Sequence, residues 1–161
     1  HWGYATDPLA MVRIHYDKTR RRIFIFDELY GVKISNREAA NLIKKYHFDD
    51  TKIIADSAEP KSIAEVKSYG IQIVGAEKKP GSVEFGEKWL DDLEAIIIDP
   101  KRCPNTAMEF ENIDYQTDRW GDTIPRLEDK DNHSVDAVRY SLSEDMLERK
   151  VRSMRRSSLG F

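Results

Sequence analysis

The sequence predicts an α/β protein with a mixed β-sheet flanked by helices. Two strand-like stretches near the start of the chain are separated by a short polar turn, which is the pattern of an antiparallel hairpin. Short apolar stretches then alternate with helical patterns, and this alternation indicates parallel strands joined by right-handed crossovers. A last helical pattern closes the chain and is followed by a strongly basic tail.

The composition fits one globular domain. A chain of 161 residues is long enough for a sizeable core, and its charged fraction of 34% is ordinary. No apolar run is long enough to cross a bilayer, and no signal peptide is visible. The single cysteine, Cys103, excludes an internal disulfide and a zinc site built from cysteines. With a net charge of −3, any nucleic-acid contact depends on local basic patches.

The first residues predict strands. His1-Trp2-Gly3-Tyr4-Ala5 lacks an initiator Met and is typical of the end of a strand, so we expect the chain to be a piece of a longer protein. Leu9 to Tyr16 and Arg22 to Leu29 predict two strands across the polar turn Asp17 to Arg20. Together with the stretch before Asp7, they predict a three-stranded antiparallel meander.

Helices and strands alternate through the middle of the chain. Ser35 and Glu38 form a capping-box pattern, and Pro60 and Gly70 mark the start and end of a later helix. The predicted elements are a helix after Ser35 with Ala39, Leu42, Ile43 and Tyr46 on one face, strand 51–55, helix 59–69, strand 71–74, helix 82–93 with Val83, Phe85, Trp89 and Leu90 in the core, strand 95–98 and helix 104–110. The polar segment 115–130 predicts a hairpin or a flexible flap.

The stretch 131–142 opens the closing helix, where Asn132 or Ser134 is positioned to cap the N-terminus. One apolar stripe is predicted from Val135, Val138, Leu142 and Met146. His133 and Asp136 share one face of the first turn, where the helix dipole favours a carboxylate. A divalent cation can use such a set, although most helices of this kind are only well capped.

Asp56 follows an apolar strand directly, and sites in open α/β sheets lie beyond the carboxyl ends of strands. An Asp-Ser pair in this place is also ordinary turn chemistry. Carboxylates that converge on one point repel each other unless a cation lies between them, and oxygen and imidazole ligands suit Mg²⁺ or Mn²⁺. Two such ions about 4 Å apart activate water for phosphodiester cleavage. Asp56 and Asp136 are therefore the candidate carboxylates of a metal site.

Three motifs occur in a fixed order: Trp2-Gly3-Tyr4-Ala5-Thr6-Asp7-Pro8, Ala55-Asp56-Ser57-Ala58-Glu59-Pro60, and 131–140. Up to about Glu144, the chain resembles the C-terminal nuclease domain of the large terminase subunit of tailed bacteriophages. The resemblance implies an RNase H-like fold with an antiparallel three-stranded meander followed by parallel strands. It also implies a metal-dependent endonuclease that cleaves concatemeric viral double-stranded DNA during genome packaging, in the cytoplasm of the infected bacterial host.

The resemblance assigns Asp56 to the second acidic metal ligand of the family, Asp136 to the third and His133 to the neighbouring histidine. These residues would hold Mg²⁺ or Mn²⁺, with two ions expected, and carry catalysis. The first acidic ligand of the family precedes an aromatic-Gly-Tyr triplet, and His1 stands at that position. His1, a tag remnant or a substitution, can bind a metal but cannot bridge two ions. We therefore expect reduced or no cleavage from this chain.

Other residues are assigned supporting roles. Glu28 is a candidate accessory acid, although charges at strand ends are equally typical of ordinary surfaces. Arg139 is positioned to pair with Asp136, and Trp120 either guards the site or anchors its loop. The loop cations expected to bind DNA phosphates, on the same sheet edge as Asp56, are Lys78, Lys79, Lys101 and Arg102.

We divide the chain into a nuclease domain over residues 1–148, truncated at its N-terminus, and a basic tail over residues 149–161. No phosphate-binding loop is present, and the resemblance implies an ATPase motor upstream in the same chain. It also implies the portal and the small terminase subunit as partners, and no membrane. Two alternatives stay open: a junction-resolving nuclease with the same fold, and a non-catalytic DNA-binding or docking module whose acids only cap helices.

Overall fold

The structure, a computed structural model, describes residues 1–3 and 6–148. The predicted basic tail over residues 149–161 lies outside the described residues. The elements, in chain order, are β1 (Leu9–Asp17), β2 (Arg22–Gly31), α1 (Asn36–Lys45), a 3₁₀ helix (Phe48–Asp50), β3 (Ile53–Ala55), α2 (Pro60–Ser68), β4 (Ile73–Gly75), α3 (Ser82–Asp91), β5 (Ala95–Ile98), α4 (Pro104–Asn112), β6 (Tyr115–Thr117), β7 (Thr123–Leu127) and α5 (His133–Ser141). Among these helices, none is long and apolar enough to span a bilayer.

The strands confirm the mixed α/β architecture. β1 and β2 form the predicted antiparallel hairpin, and β5 lies parallel to β2 on its other side. β3 and β4 form a separate parallel pair, and β6 and β7 form an antiparallel hairpin. The strand predicted before Asp7 differs, because His1 has only two backbone hydrogen bonds with Ala10, of 2.9 and 3.1 Å. Within residues 1–3 and 6–148, the third strand beside the hairpin is therefore β5.

Two apolar clusters hold the helices against the strands. The first consists of Ile23, Ile25, Trp89, Leu90, Cys103, Val138, Leu142 and Met146. The second consists of Leu29, Ala40, Ile43, Phe48, Ala55, Val66, Ile71 and Ile73. The predicted stripe of α5 is buried, with Val138 fully enclosed. One core prediction is wrong, because Phe85 lines a surface pocket and is 38% exposed. Tyr46, which was predicted to share a face with Ala39 and Ile43, follows the last residue of α1 and is 47% exposed.

A groove of about 360 Å³ separates the sheet of β1, β2 and β5 from the pair of β3 and β4. Its walls are residues 9–14 of β1 and residues 51–55 around β3, and Ala137 and Leu142 of α5 also line it. Within residues 1–3 and 6–148, β1 has only β2 as a strand neighbour and β3 has only β4. Trp2 lies at one end, where its Nε1 donates to the backbone oxygen of Asp56 at 3.1 Å. The first residues of the chain thus link β1 to the end of β3.

The capping box at the start of α1 yields a stability prediction. Ser35 Oγ accepts a hydrogen bond from the Glu38 amide at 3.2 Å, and Glu38 Oε2 accepts one from the Ser35 amide at 3.0 Å. Ser35→Ala should lower the free energy of unfolding by about 1 kcal/mol, because the helix loses one acceptor for its free amides. Urea denaturation measures the change. Ser35→Thr keeps the hydroxyl and should stay near wild type, and equal losses in both variants would contradict the capping role.

Candidate metal centre

Asp56 is held at the carboxyl end of β3, whose last residue, Ala55, is buried. Its Oδ1 accepts hydrogen bonds from Lys78 Nζ at 2.5 Å and from the Ala58 amide at 2.9 Å. The side chain is only 14% exposed. Burial raises the pKa of Asp56, but the two hydrogen bonds outweigh burial and keep that pKa below its ordinary value. Asp56 is therefore a charged carboxylate that is neutralised by a lysine.

Asp136 lies in the first turn of α5 and is paired with Arg139 one turn later. Arg139 Nη2 donates to Asp136 Oδ1 at 2.8 Å, which is the pairing that the spacing predicts. The Arg139 side chain is 8% exposed. Burial opposes its charge, but Asp136 outweighs burial, so the pKa of Arg139 lies above its ordinary value. Each of the two candidate carboxylates thus has its own cation.

Residue 1 lies where the predicted site residues meet. Burial lowers the pKa of the His1 α-amino group to about 6, while the charges of Asp56 and Asp136 both act in the opposite direction. The imidazole of His1 contacts His133, with Nε2 of the first 3.2 Å from Nδ1 of the second. Residue 1 therefore lies near two distant parts of the chain, Asp56 after β3 and the first turn of α5.

The donor set is incomplete but chemically suited to a divalent ion. Across the part of the chain that the structure describes, no three His, Cys, Asp or Glu side chains form a ready metal site. The carboxylates of Asp56 and Asp136 and the imidazole of His133 are nevertheless the ligand types that Mg²⁺ and Mn²⁺ accept. Positive groups already neutralise both carboxylates. The site therefore fits a divalent ion in donor type, while such an ion would compete with the cations that pair with its carboxylates.

Glu109 is an important residue of this region that the sequence reasoning missed. It is buried on α4, and it accepts hydrogen bonds from the Tyr30 hydroxyl at 2.8 Å and the Ser134 amide at 2.5 Å. Burial raises the pKa of Glu109, although these bonds partly oppose the shift. The capping prediction for α5 is thus wrong, because neither the Asn132 side chain nor the Ser134 hydroxyl caps the helix and the capping acid comes from α4. The sequence held one signal for this role. Glu109, which precedes Phe110, continues at three-residue spacing the helix face that begins with Cys103 and Thr106.

Glu28 has a capping role at the start of α4. Its carboxylate accepts hydrogen bonds from the backbone and side chain of Asn105, at 3.0 and 2.8 Å. It also accepts bonds from the backbone and hydroxyl of Thr106, at 2.8 and 2.7 Å. These four hydrogen bonds explain the position of the Glu28 carboxylate without a metal ion. The accessory role of Glu28 at the metal site stays a prediction.

The predicted DNA-binding cations have different surroundings. Lys78 follows β4 and reaches Asp56, as expected for neighbouring parallel strands, but its ammonium group is paired with that carboxylate. Lys79 and Arg102 are each paired with a nearby acid, and Lys101 is exposed. Lys101 and Arg102 follow β5, which lies in the sheet of β1 and β2. They therefore do not share the sheet edge of Asp56, which follows β3. Their contact with DNA stays a prediction.

The polar segment 115–130 forms a hairpin, which was one of its two predicted forms. Trp120 is 72% exposed in the turn, and the Arg119 guanidinium lies 3.9 Å from the centroid of its ring. Two contacts fix the hairpin to α3. Arg126 pairs with Glu84 at 3.1 Å, and the Leu127 amide donates a hydrogen bond to Glu87 at 3.1 Å. Residues of β7 therefore anchor the hairpin. That Trp120 guards the candidate metal site stays a prediction.

Gly86 on α3 lets the helix approach Arg139 closely. A Cβ atom at this position would lie 2.7 Å from both Cγ and Cδ of Arg139, which is buried. We expect Gly86→Ala to lower the free energy of unfolding by about 1 kcal/mol, because overpacking outweighs the better helix propensity of alanine. Urea denaturation tests this value. In an Arg139→Ala background the same change should stabilise the protein, and equal effects in both backgrounds would exclude the clash.

Comparison with known proteins identifies relatives of the whole described region. The family model for the terminase RNase H-like domain matches residues 2–144. The large terminase subunit of Bacillus phage SPP1 is 57% identical over 147 residues, which are 90% of this chain and 35% of that protein. The PBSX phage terminase large subunit of Bacillus subtilis (strain 168) is 31% identical over 158 residues, or 96% of this chain and 36% of that protein. The chain thus spans about a third of the length of these relatives.

Solved structures agree in fold. The crystal structure of the g2p (large terminase) nuclease domain from bacteriophage SPP1 with bound Mn has a TM-score of 0.85 at 57% identity, and the match covers 89% of this chain and 82% of that one. The large terminase of a thermophilic bacteriophage, solved in complex with ATP-gamma-S, has a TM-score of 0.65 at 16% identity, covering 89% of this chain and 38% of that one. This second likeness concerns the fold alone. The chain belongs to the terminase RNase H-like domain family.

Proposed function

We propose that this chain is a metal-dependent endonuclease domain that cleaves concatemeric double-stranded viral DNA during genome packaging. The observation that carries the proposal is geometric: α5, which bears His133 and Asp136, packs on β3, which ends at Asp56, and the first residues of the chain contact both, Trp2 at the Asp56 backbone and His1 at His133. Two carboxylates that lie close together repel each other, and a bound cation relieves this repulsion. The similarity to the SPP1 nuclease domain, which was solved with bound Mn, supports the same conclusion.

Asp56, Asp136 and His133 would hold the divalent ions, Mg²⁺ or Mn²⁺. When bound, two such ions supply a lowered pKa for the attacking water and charge stabilisation for the leaving oxygen. Arg139 orients Asp136 through their 2.8 Å hydrogen bond, and Glu109 fixes the first turn of α5, which presents His133 and Asp136. The hydrogen bond to His1 orients the ring of His133.

Metal binding and DNA cleavage test this proposal together. Isothermal titration with Mn²⁺ should show binding to the wild-type chain, and Asp56→Asn or Asp136→Asn should weaken binding at least about tenfold. Cleavage of supercoiled and linear duplex DNA should require Mn²⁺ or Mg²⁺ and should stop on addition of EDTA. An absence of Mn²⁺ binding in the folded wild-type chain would overturn the metal-dependent function.

The same assays separate the two alternatives. A junction-resolving nuclease would cleave a four-way DNA junction in preference to a linear duplex of the same sequence. A docking module would bind DNA equally well with Mn²⁺ and with EDTA, and Asp56→Asn would not affect its binding. We expect weak cleavage from the wild-type chain, stronger cleavage from His1→Asp, and no junction preference in either, which distinguishes the packaging nuclease from both alternatives.

We further propose that residues 1–148 are the nuclease part of a longer chain with an ATPase motor upstream, acting with a portal and a small terminase subunit in the host cytoplasm. Two observations support this: the curated relatives are about three times as long, and β1 and β3 face an open groove. Adding the residues that precede position 1 in the parent gene should protect β1 amides from hydrogen exchange. Unchanged protection would contradict the inference that residues preceding position 1 cover the groove beside β1.

A further inference from the structure

Lys78 is the more exposed of the two cations that pair with the candidate metal-binding carboxylates. It lies on the connection between β4 and α3, and its side chain is 41% exposed. Its Nζ is 2.5 Å from Asp56 Oδ1 and 5.2 Å from the centroid of the Tyr140 ring. Burial lowers the pKa of Lys78, but Asp56 and Tyr140 outweigh it, so the pKa lies above its ordinary value. The ammonium group is thus charged and has two neighbours that stabilise it.

The two cations of the site differ in their freedom to move. Arg139 is 8% exposed, and its guanidinium lies 4.5 Å from the centroid of the Tyr140 ring while it binds Asp136. Gly86 of α3 also encloses it closely. Lys78 has a long flexible stem and a solvent-facing side. Lys78 can therefore move away from Asp56, whereas the enclosed Arg139 stays in place and supports Asp136.

We propose that Lys78 is the internal counter-ion of Asp56, that a divalent ion must displace it to bind, and that the displaced ammonium group then binds a DNA phosphate. This inference rests on the proposed function, since it assigns Asp56 to metal binding. An ammonium group 2.5 Å from an oxygen occupies the place that a metal ion needs, and the two positive charges repel each other. Tyr140 keeps the released group near the site through its ring face.

The first consequence concerns metal affinity. Lys78→Met removes the competing charge and should tighten Mn²⁺ binding by about tenfold in isothermal titration, since a net ion-pair contribution of this order is lost from the metal-free state. Lys79→Met removes the same charge one position along the chain, where the ammonium group is paired with Glu77. It should leave the dissociation constant for Mn²⁺ within about twofold of wild type.

The second consequence concerns DNA affinity. Metal binding and DNA binding should be coupled through Lys78, because the ammonium group reaches a phosphate only after it leaves Asp56. With Ca²⁺ in place of Mn²⁺ and a short duplex as the probe, wild type should bind DNA at least about fivefold more tightly than Lys78→Met. Without metal the two proteins should bind DNA alike, since Lys78 is then paired internally.

The results separate this inference from the proposed function. Mn²⁺ binding to neither wild type nor Lys78→Met would overturn the function, whereas equal binding to both would overturn only the counter-ion role. In the presence of Asp56→Asn, Lys78→Met should no longer tighten binding, and a persistent gain would show that the effect is not exerted on Asp56. Circular dichroism checks that the variants are folded. Lys78→Gln provides a second charge removal with the same expected direction if Lys78→Met does not fold.

Discussion

Replacing His1 by aspartate should raise Mn²⁺-dependent cleavage of duplex DNA by about 100-fold, which corresponds to about 2.7 kcal/mol of transition-state stabilisation. The position is favourable, because the His1 side chain contacts His133 and the neighbouring Trp2 binds the backbone of Asp56. A carboxylate there supplies two oxygens that can bridge two ions, whereas the imidazole offers one nitrogen lone pair at a time. The rate is measured on supercoiled plasmid under single-turnover conditions.

Two controls make the test specific. His1→Asn has nearly the same shape as the aspartate variant but no charge, so it should not increase cleavage. Adding Asp136→Asn to the aspartate variant should remove the gain, because the new carboxylate acts only as part of the same site. A His1→Asp protein that binds Mn²⁺ but cleaves no faster than wild type would contradict the role given to position 1.

Replacing Glu109 by alanine should lower the free energy of unfolding by about 3 kcal/mol, because it leaves one buried and one half-buried donor without an acceptor. These donors are the Ser134 amide at the start of α5 and the Tyr30 hydroxyl. Denaturation in urea measures the loss. Tyr30→Phe removes only one of the bonds and should cause a loss of about 1 kcal/mol. Equal losses in the two variants would contradict the capping role of Glu109.

The pH dependence of stability provides a further test of Glu109. Because its pKa is raised in the folded state, the protonated form favours folding at low pH, and this contribution is lost as the pH rises through the raised pKa. Glu109→Gln keeps an acceptor for Ser134 but does not titrate. Its free energy of unfolding relative to wild type should therefore increase from pH 4 to pH 7, and a difference that falls over this range would contradict the inferred burial of the charge.

Much of the fold was accessible from local signals. The β1–β2 hairpin follows from two strand patterns across a polar turn, and Ser35 with Glu38 forms the predicted capping box. Gly70, with a φ of 86°, ends the second helix where a residue without a side chain is favoured. These features depend on residues close in sequence, so the sequence alone predicts them well.

The environment of the site depended on distant contacts. Glu28 was expected to be free for a site role, but α4 places Asn105 and Thr106 against it. Lys78 was expected to bind DNA, but the parallel pairing of β3 and β4 brings it to Asp56. Such partners come from different elements, and no local pattern identifies which donor reaches a given carboxylate.

The sequence by itself determined the order of strands and helices, the α/β class and, through its ordered motifs, the acids that serve as candidate ligands. Only the tertiary structure decided that β5 pairs with β2, that Glu109 caps α5, and that residue 1 lies among Asp56, Asp136 and His133. The physical reason is range. Propensities and caps act within a few residues, whereas burial and charge pairing join segments that meet only when the chain is folded.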